Sequence, residues 1–276
     1  RSLTVAALFV TGVNAQERIT EDGRLKRDPV FVNQGKDVVY AVDESRVLIR
    51  LMRMNLNEEG IRLHKNANKN QYEASFSRDD RIKAYSHNKG NLEMQLFIED
   101  TKTNKRVIIG HKGRGGYCHP CVTPDGKHVL YCFAESGPQH IFRVDAQGKN
   151  KTQLTQGVGI NNWPSITADG KVIAFASSRE KTYELYTMKA DGSDVKRVTR
   201  NRRMEIRPQI SPDGKRIVFV ANHEGNRDLY LINVDGSGLR RLTTNEERDD
   251  YPSWHPDGKR VVYVSERDGS FDLFML

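Results

Sequence analysis

An Asp-Gly turn recurs along this chain at a fixed step of 44 residues, at Gly126, Gly170, Gly214 and Gly258. Fainter copies at Gly35 and Asp80 extend the series backwards with steps of 45 and 46 residues. A period of that length, with strand-like runs between the turns, is the signature of a propeller in which each repeat forms one blade. Six anchors therefore predict six blades.

The clearest copy begins at Pro208 and reads Pro-Gln-Ile-Ser-Pro-Asp-Gly-Lys-Arg-Ile-Val-Phe-Val, then Asp-Leu-Tyr-Leu-Ile-Asn-Val-Asp-Gly, then Leu-Arg-Arg-Leu-Thr. These are four short strands. In Ser211-Pro212-Asp213-Gly214 the proline pre-sets the first turn position and the glycine takes the positive φ that closes the hairpin. The same chemistry stands at Pro124-Asp125-Gly126, Ala168-Asp169-Gly170 and Pro256-Asp257-Gly258. Ile217 to Val220 and Leu229 to Ile232 are apolar on both faces, so a blade buries both only by stacking on its neighbours.

The two ends of the chain show how the ring closes. The last copy, from Pro252 to Leu276, holds three strands. Arg18-Ile19-Thr20 repeats Arg241-Leu242-Thr243, and Thr20 stands nine residues before Pro29 just as Thr243 stands nine before Pro252. We therefore expect an all-β fold over residues 16–276: a six-bladed β-propeller of four-stranded antiparallel blades, closed by an N-terminal strand that completes the last blade and leaves no unpaired edge. Residues 1–15, with an apolar stretch from Leu3 to Val13 and Val13-Asn14-Ala15 before Gln16, read as the remnant of a secretory signal peptide. About 11 apolar residues are too few to span a bilayer, so we expect an exported protein, periplasmic or secreted, without a transmembrane segment.

The copies Pro-x-x-Ser-Pro-Asp-Gly-Lys-Arg-Ile-Val-Phe at Pro208 and Pro-Ser-Trp-x-Pro-Asp-Gly-Lys-Arg-Val-Val-Tyr at Pro252, with their Asp-Leu-Tyr or Asp-Leu-Phe and Leu-Thr elements, resemble the WD40-like repeats of the TolB family. The resemblance covers residues 17–276, most clearly from Pro120 onward. It implies a six-bladed propeller and often a periplasmic home. It does not imply one activity, because such repeats also occur in peptidase propellers and polysaccharide-degrading enzymes. It further implies an N-terminal α/β domain, whereas here we expect the propeller to begin directly after the signal.

The formal net charge is +8, a mild bias and not a polybasic tract. An anionic envelope polymer or a protein is therefore the expected partner at the funnel, and nucleic acid is not. We expect a monomer. The loops entering each innermost strand should gather at one channel mouth. They carry Lys26, Arg27 and Asp28; Gln71, Tyr72 and Glu73; Tyr117, Cys118 and His119; Asn161, Asn162 and Trp163; Glu205, Ile206 and Arg207; Asp249, Asp250 and Tyr251. This rim is polar, aromatic and different in every blade. From it we take Tyr72, Tyr117, His119, Asn161, Trp163, Glu205, Arg207, Asp249, Asp250 and Tyr251 as candidate ligand-binding residues. The tyrosines and Trp163 would offer flat faces and Arg207 a carboxylate partner.

His87, His119 and His140 fall on the same face in adjacent blades and are weak metal candidates, since a site needs three or four ligands converging near 2 Å. No cofactor is otherwise expected. Cys118-His119-Pro120-Cys121 has redox-motif spacing, but Pro120 occupies the position of Pro208 and places the motif on a strand, where residues three apart lie about 10 Å from each other on opposite faces. If Thr123 opposes Lys127 across the turn, Cys118 faces Cys132. A bridge between those two is then open, with Cys121 free, and we expect buried thiols. The chain has no Gly-x-Ser-x-Gly, His-Glu-x-x-His or glycine-rich phosphate loop. The reading is a non-catalytic module that binds a protein or an envelope polymer. The alternatives are a carbohydrate-active lyase or hydrolase on acidic polysaccharide, using Tyr117, His119, Trp163 and Arg207, or the propeller part of a larger hydrolase.

Overall fold

Each Pro-Asp-Gly segment folds as a tight hairpin because its side chains close it twice. In blade five the Gly214 amide donates to the Ser211 carbonyl (2.8 Å), while the Ser211 hydroxyl donates to Asp213 (2.6 Å), which accepts the Lys215 amide (3.1 Å). Thr123 with Asp125 and Thr167 with Asp169 repeat the arrangement. In blade six His255 takes the serine's place and accepts the Asp257 amide at Nδ1.

The computed structural model describes residues 16–45, 48–58, 61–64, 70–88, 93–110, 116–135, 137–222 and 225–276; the expected signal remnant, 1–15, lies outside the described residues. The described residues form six four-stranded antiparallel sheets. We number them one to six by their innermost strands: Lys26–Val32, Gln71–Phe76, Cys118–Val122, Asn161–Ile166, Glu205–Ile210 and Asp249–Trp254. Each innermost strand touches those of both neighbouring blades, so the ring is closed. Side-chain bonds stitch the circle: Ser75 accepts the Val122 amide and Ser165 the Ile210 amide (both 2.9 Å).

The blades stack through one repeated position. At the middle of the second strand stand Tyr40, Tyr85, Tyr131, Phe175, Phe219 and Tyr263, all wholly buried. Their cross-strand partners on the third strand are Met52, Phe97, Phe142, Tyr186, Tyr230 and Phe274. Burying each such side chain contributes about 1.5–3 kcal/mol, and only the adjoining blade can cover the second face of each sheet.

Closure follows the expected pattern. Glu17 and Arg18 pair with Met275 and Phe274, so the N-terminal strand is the outer edge of blade six. Thr20 then accepts the Leu273 amide (2.9 Å) and donates to Asp272 (2.7 Å), as Thr243 accepts the Leu229 amide in blade five (3.0 Å). Arg18 reaches Asp272 as Arg241 reaches Asp228.

Close backbone approach between blades gives a direct test. Gly236 (φ +87°) would place a Cβ 2.6 Å from the Val198 carbonyl, whereas Gly269 (φ +72°) has nothing within 4 Å. Gly236→Ala should cost about 2–4 kcal/mol and Gly269→Ala about 1 kcal/mol. Urea denaturation checks the difference; equal costs would mean that the contact between blades four and five yields freely.

Candidate functional site

Every innermost strand breaks register near its middle. The shifts fall between Arg27 and Val30, Tyr72 and Ser75, Cys118 and Cys121, Asn162 and Ser165, Ile206 and Gln209, and Asp250 and Ser253. At each bulge one non-glycine residue sits in the left-handed region: Asp28 (φ 50°), Glu73 (54°), His119 (51°), Trp163 (53°), Arg207 (51°) and Tyr251 (56°). Such residues cost of order 1–3 kcal/mol each and persist only where their surroundings over-determine them. Here neighbours hold the bulges. The His119 amide donates to Glu73 (2.8 Å), the Tyr251 amide to Asp250 (2.8 Å) and the Trp163 amide to Asn162 (3.1 Å). Five of the six precede a proline, which has no N–H to restore the ladder. The bulge brings all six side chains to one axial cavity of about 140 Å³.

Charge within this ring is arranged in pairs, with one exception. His119 Nδ1 lies 2.9 Å from Glu73 Oε1, and Glu73 also accepts the Ser86 hydroxyl (2.6 Å). Burial pushes the Glu73 carboxyl up, but the His119 charge and hydrogen bonds outweigh it and bring it down to about 2. Burial works against the His119 charge in turn, and Glu73 together with the neighbouring Cys118 sulfur outweighs that, raising the imidazole to about 10. The pair is therefore ionic at neutral pH. Asp28 makes no hydrogen bond or ion pair among the described residues; burial and then the Glu73 charge push its carboxyl up to about 6, against Arg207 and His119.

Arg207 donates from Nε to Asp250 (2.7 Å), and its guanidinium lies 4.1 Å from the Tyr251 ring centre and 5.6 Å from that of Trp163. Trp163 also meets His119 (5.3 Å) and Tyr183 (5.4 Å). Beneath the ring, buried Asp250 takes Arg227 (3.3 Å) and Arg248 (2.5 Å) as well. Burial opposes the Asp250 charge, yet Arg207 and Arg248 hold its carboxyl below the usual range.

The bulge sorts the sequence-derived candidates. His119, Trp163, Arg207 and Tyr251 line the axial cavity. Asp28 and Glu73 join them, although the sequence placed them on the rim without singling them out. Asp250 anchors the arginines. The remaining candidates precede the bulge and do not line the cavity. Tyr117 stacks on Phe133 (4.3 Å), and Tyr72 packs on the cluster around Tyr85. Asn161 is wholly buried between Arg179 and His140. Glu205 is buried and accepts from Asn201 (2.6 Å), with burial raising its carboxyl to about 7; burial likewise raises that of Asp249.

The three histidines do not converge. His87 packs on Phe97 (4.9 Å), His140 lies beside Thr155 (3.4 Å) and Asn161 (3.2 Å), and His119 is held by Glu73. Among the described residues no group of three or more His, Cys, Asp or Glu is placed to hold a metal. Cys118 does oppose Cys132, and all three cysteines are thiols. The turn is one residue longer than expected, since the Thr123 amide bonds the His128 carbonyl, and the bulge at His119 restores the pairing.

Below the ring the lining continues through Cys121, Gln209 and Ser253 into a cavity of about 260 Å³ on the turn face, edged by Phe76, Ile166, Trp254, Pro124, Pro212 and Pro256. One end of the channel carries the charged ring; the other is mainly apolar, with Arg78 as its one charged lining residue among the described residues. Among the described residues no helix is long and apolar enough to cross a membrane.

Residues 72–223, more than half of the chain, match the profile of the TolB beta propeller domain, and residues 185–274 match that of the Tricorn protease N-terminal beta propeller domain. No curated protein matches at a significant level. Among solved structures, TolB from Acinetobacter baumannii superposes with a TM-score of 0.71 at 22% identity, over 88% of this chain and 64% of that one. A protein assigned as TolB from Agrobacterium tumefaciens gives 0.68 at 21% identity, over 91% and 90%. Oligogalacturonate lyase from Vibrio parahaemolyticus gives 0.61 at 13% identity, over 94% and 92%. Identities this low show the fold alone.

Proposed function

The chain belongs to the TolB beta propeller family, and on that footing we propose that it is an exported, periplasmic binding module whose channel mouth engages a protein or an envelope polymer without transforming it. One observation carries this reading: two carboxylates, an imidazole, an indole, a guanidinium and a phenol, each on a strained left-handed backbone, face a single axial cavity. A ring serving only to close the fold would be met by glycine at no such cost. The chemistry of the ring favours binding over turnover. His119 carries its proton at neutral pH and is not a free base there, and Arg207 covers the aromatic faces that a sugar ring would stack on.

A photo-crosslinking amino acid at exposed Arg203, on the loop entering blade five, should capture envelope components. The same probe at exposed Lys171, on the opposite turn face, should not. Incubation with oligogalacturonate and Mn²⁺ should yield no unsaturated product. Product formation, or equal capture from both positions, would overturn the reading.

A further inference from the structure

Between blades six and one lies a second cavity, of about 180 Å³, which shares Tyr251 with the axial one. Its lining combines apolar Leu25, Val264 and Phe271 with Arg27, Arg248 and Asp250, whose carboxylate the arginines hold. Lys26 also lines it. The buried ammonium is saturated by Asp22, Asp272 and the carbonyls of Arg24 and Phe271.

The arginines are not saturated. Arg248 directs both Nε (3.1 Å) and Nη2 (2.5 Å) at the same Asp250 oxygen. Arg27 gives Nη2 to Asp43 (2.6 Å), while its buried Nε has no acceptor among the described residues. Asp250 has no capacity left, since it already accepts from Arg207, Arg227, Arg248 and the Tyr251 amide. Four guanidiniums (Arg27, Arg207, Arg227, Arg248) thus face Asp43 and Asp250, with Asp28 coupled by charge to Arg27 and Arg207, a net of one positive charge. A planar carboxylate is the anion that guanidinium forks match best.

The apolar lining decides what carries that carboxylate. A uronate ring would press hydroxyls against Val264 and Phe271 without partners, which is costly. The methylenes of a glutamate side chain suit the same surface. Resting on the binding-module reading, we propose that this pocket takes the carboxylate of a glutamate side chain from an acidic polypeptide segment, between Arg27 and Arg248, with its methylenes on Leu25, Val264 and Phe271.

Fluorescein-labelled pentaglutamate, titrated into the full chain at low salt, tests this, with pentaglutamine and pentagalacturonate as comparators. Pentaglutamate should bind and pentaglutamine should not. Arg248→Gln and Leu25→Glu should each weaken binding about tenfold or more, while Lys171→Gln on the turn face should leave it unchanged. Leu25 is 37% exposed, so its variant tests the pocket without endangering the fold. Undiminished binding to Leu25→Glu, or tighter binding of pentagalacturonate, would overturn the assignment. If crosslinks from Arg203 persist while pentaglutamate binds no better than pentaglutamine, the pocket falls and the binding module stands. Absent crosslinks in the parent chain remove the module itself.

Discussion

Asp272→Ala is expected to destabilise the protein by about 3 kcal/mol, because it removes the buried one of the two carboxylates that hold a wholly buried lysine, together with the partner of Arg18 and Thr20. Asp272 is 1% exposed and holds three groups from the other end of the chain: Lys26 Nζ at 2.9 Å, Arg18 at 2.5 Å and the Thr20 hydroxyl at 2.7 Å. Without it, Lys26 keeps Asp22 and two carbonyls but loses its bond to blade six, and the closing strand loses its anchor. The melting temperature should fall by roughly 10 °C, and proteases should cut between residues 16 and 25. Asp228→Ala in blade five is the control. It breaks an equivalent contact with Arg241 (2.7 Å) but takes no bond from a buried lysine and frees no chain end, so its cost should be clearly smaller. Equal losses would mean that the latch has no special role in closure.

The same carboxylate sets a pH dependence. Burial works against its charge, but Arg18, Lys26 and Thr20 outweigh burial and hold it below the ordinary aspartate value. A depressed folded pKa contributes stability that is present above about pH 3.9 and is lost as pH falls through the folded value. Acid should therefore weaken this seam as pH falls below about 3.9.

The architecture was legible because it is written six times. A turn that needs positive φ, strands apolar on both faces, and an Arg-x-Thr strand missing at one end and present at the other each restate one geometry. The site was legible only in position. The three residues entering each innermost strand were identifiable as a rim, but a sequence read at period two turns Tyr117 and His119 the same way. The bulge inverts this, sending His119 to the axis and Tyr117 into the packing against Phe133. Nothing in a single repeat announces a left-handed tyrosine or tryptophan. The available signal was the proline that follows five of the six, which removes a ladder donor where the register slips. Asp28 and Glu73 were passed over for the same reason: read one at a time they are surface carboxylates, and their meaning comes from facing His119 and Arg207 across the channel.

His119→Gln should expose that coupling. At pH 6 it should cost roughly 3 kcal/mol, since it leaves Glu73 as an unpaired carboxylate beside Asp28 in a mostly buried ring. The sign of the pH dependence follows from the two groups. His119 has a folded pKa raised to about 10, so its contribution is complete below the unfolded value of about 6.5 and is lost as pH rises through 10. Glu73 is lowered to about 2, so its contribution is present above about 4.3 and is lost as pH falls through 2. The pair is thus worth most between roughly pH 4.3 and 6.5, and the parent and His119→Gln should converge in stability at alkaline pH. Adding Glu73→Gln to the variant should recover much of the loss, because it removes the buried charge that a neutral glutamine at 119 can hydrogen-bond but cannot compensate. A penalty that stays constant from pH 6 to pH 10, or a double variant no better than the single, would mean that His119 acts through packing on Trp163 and not through its charge.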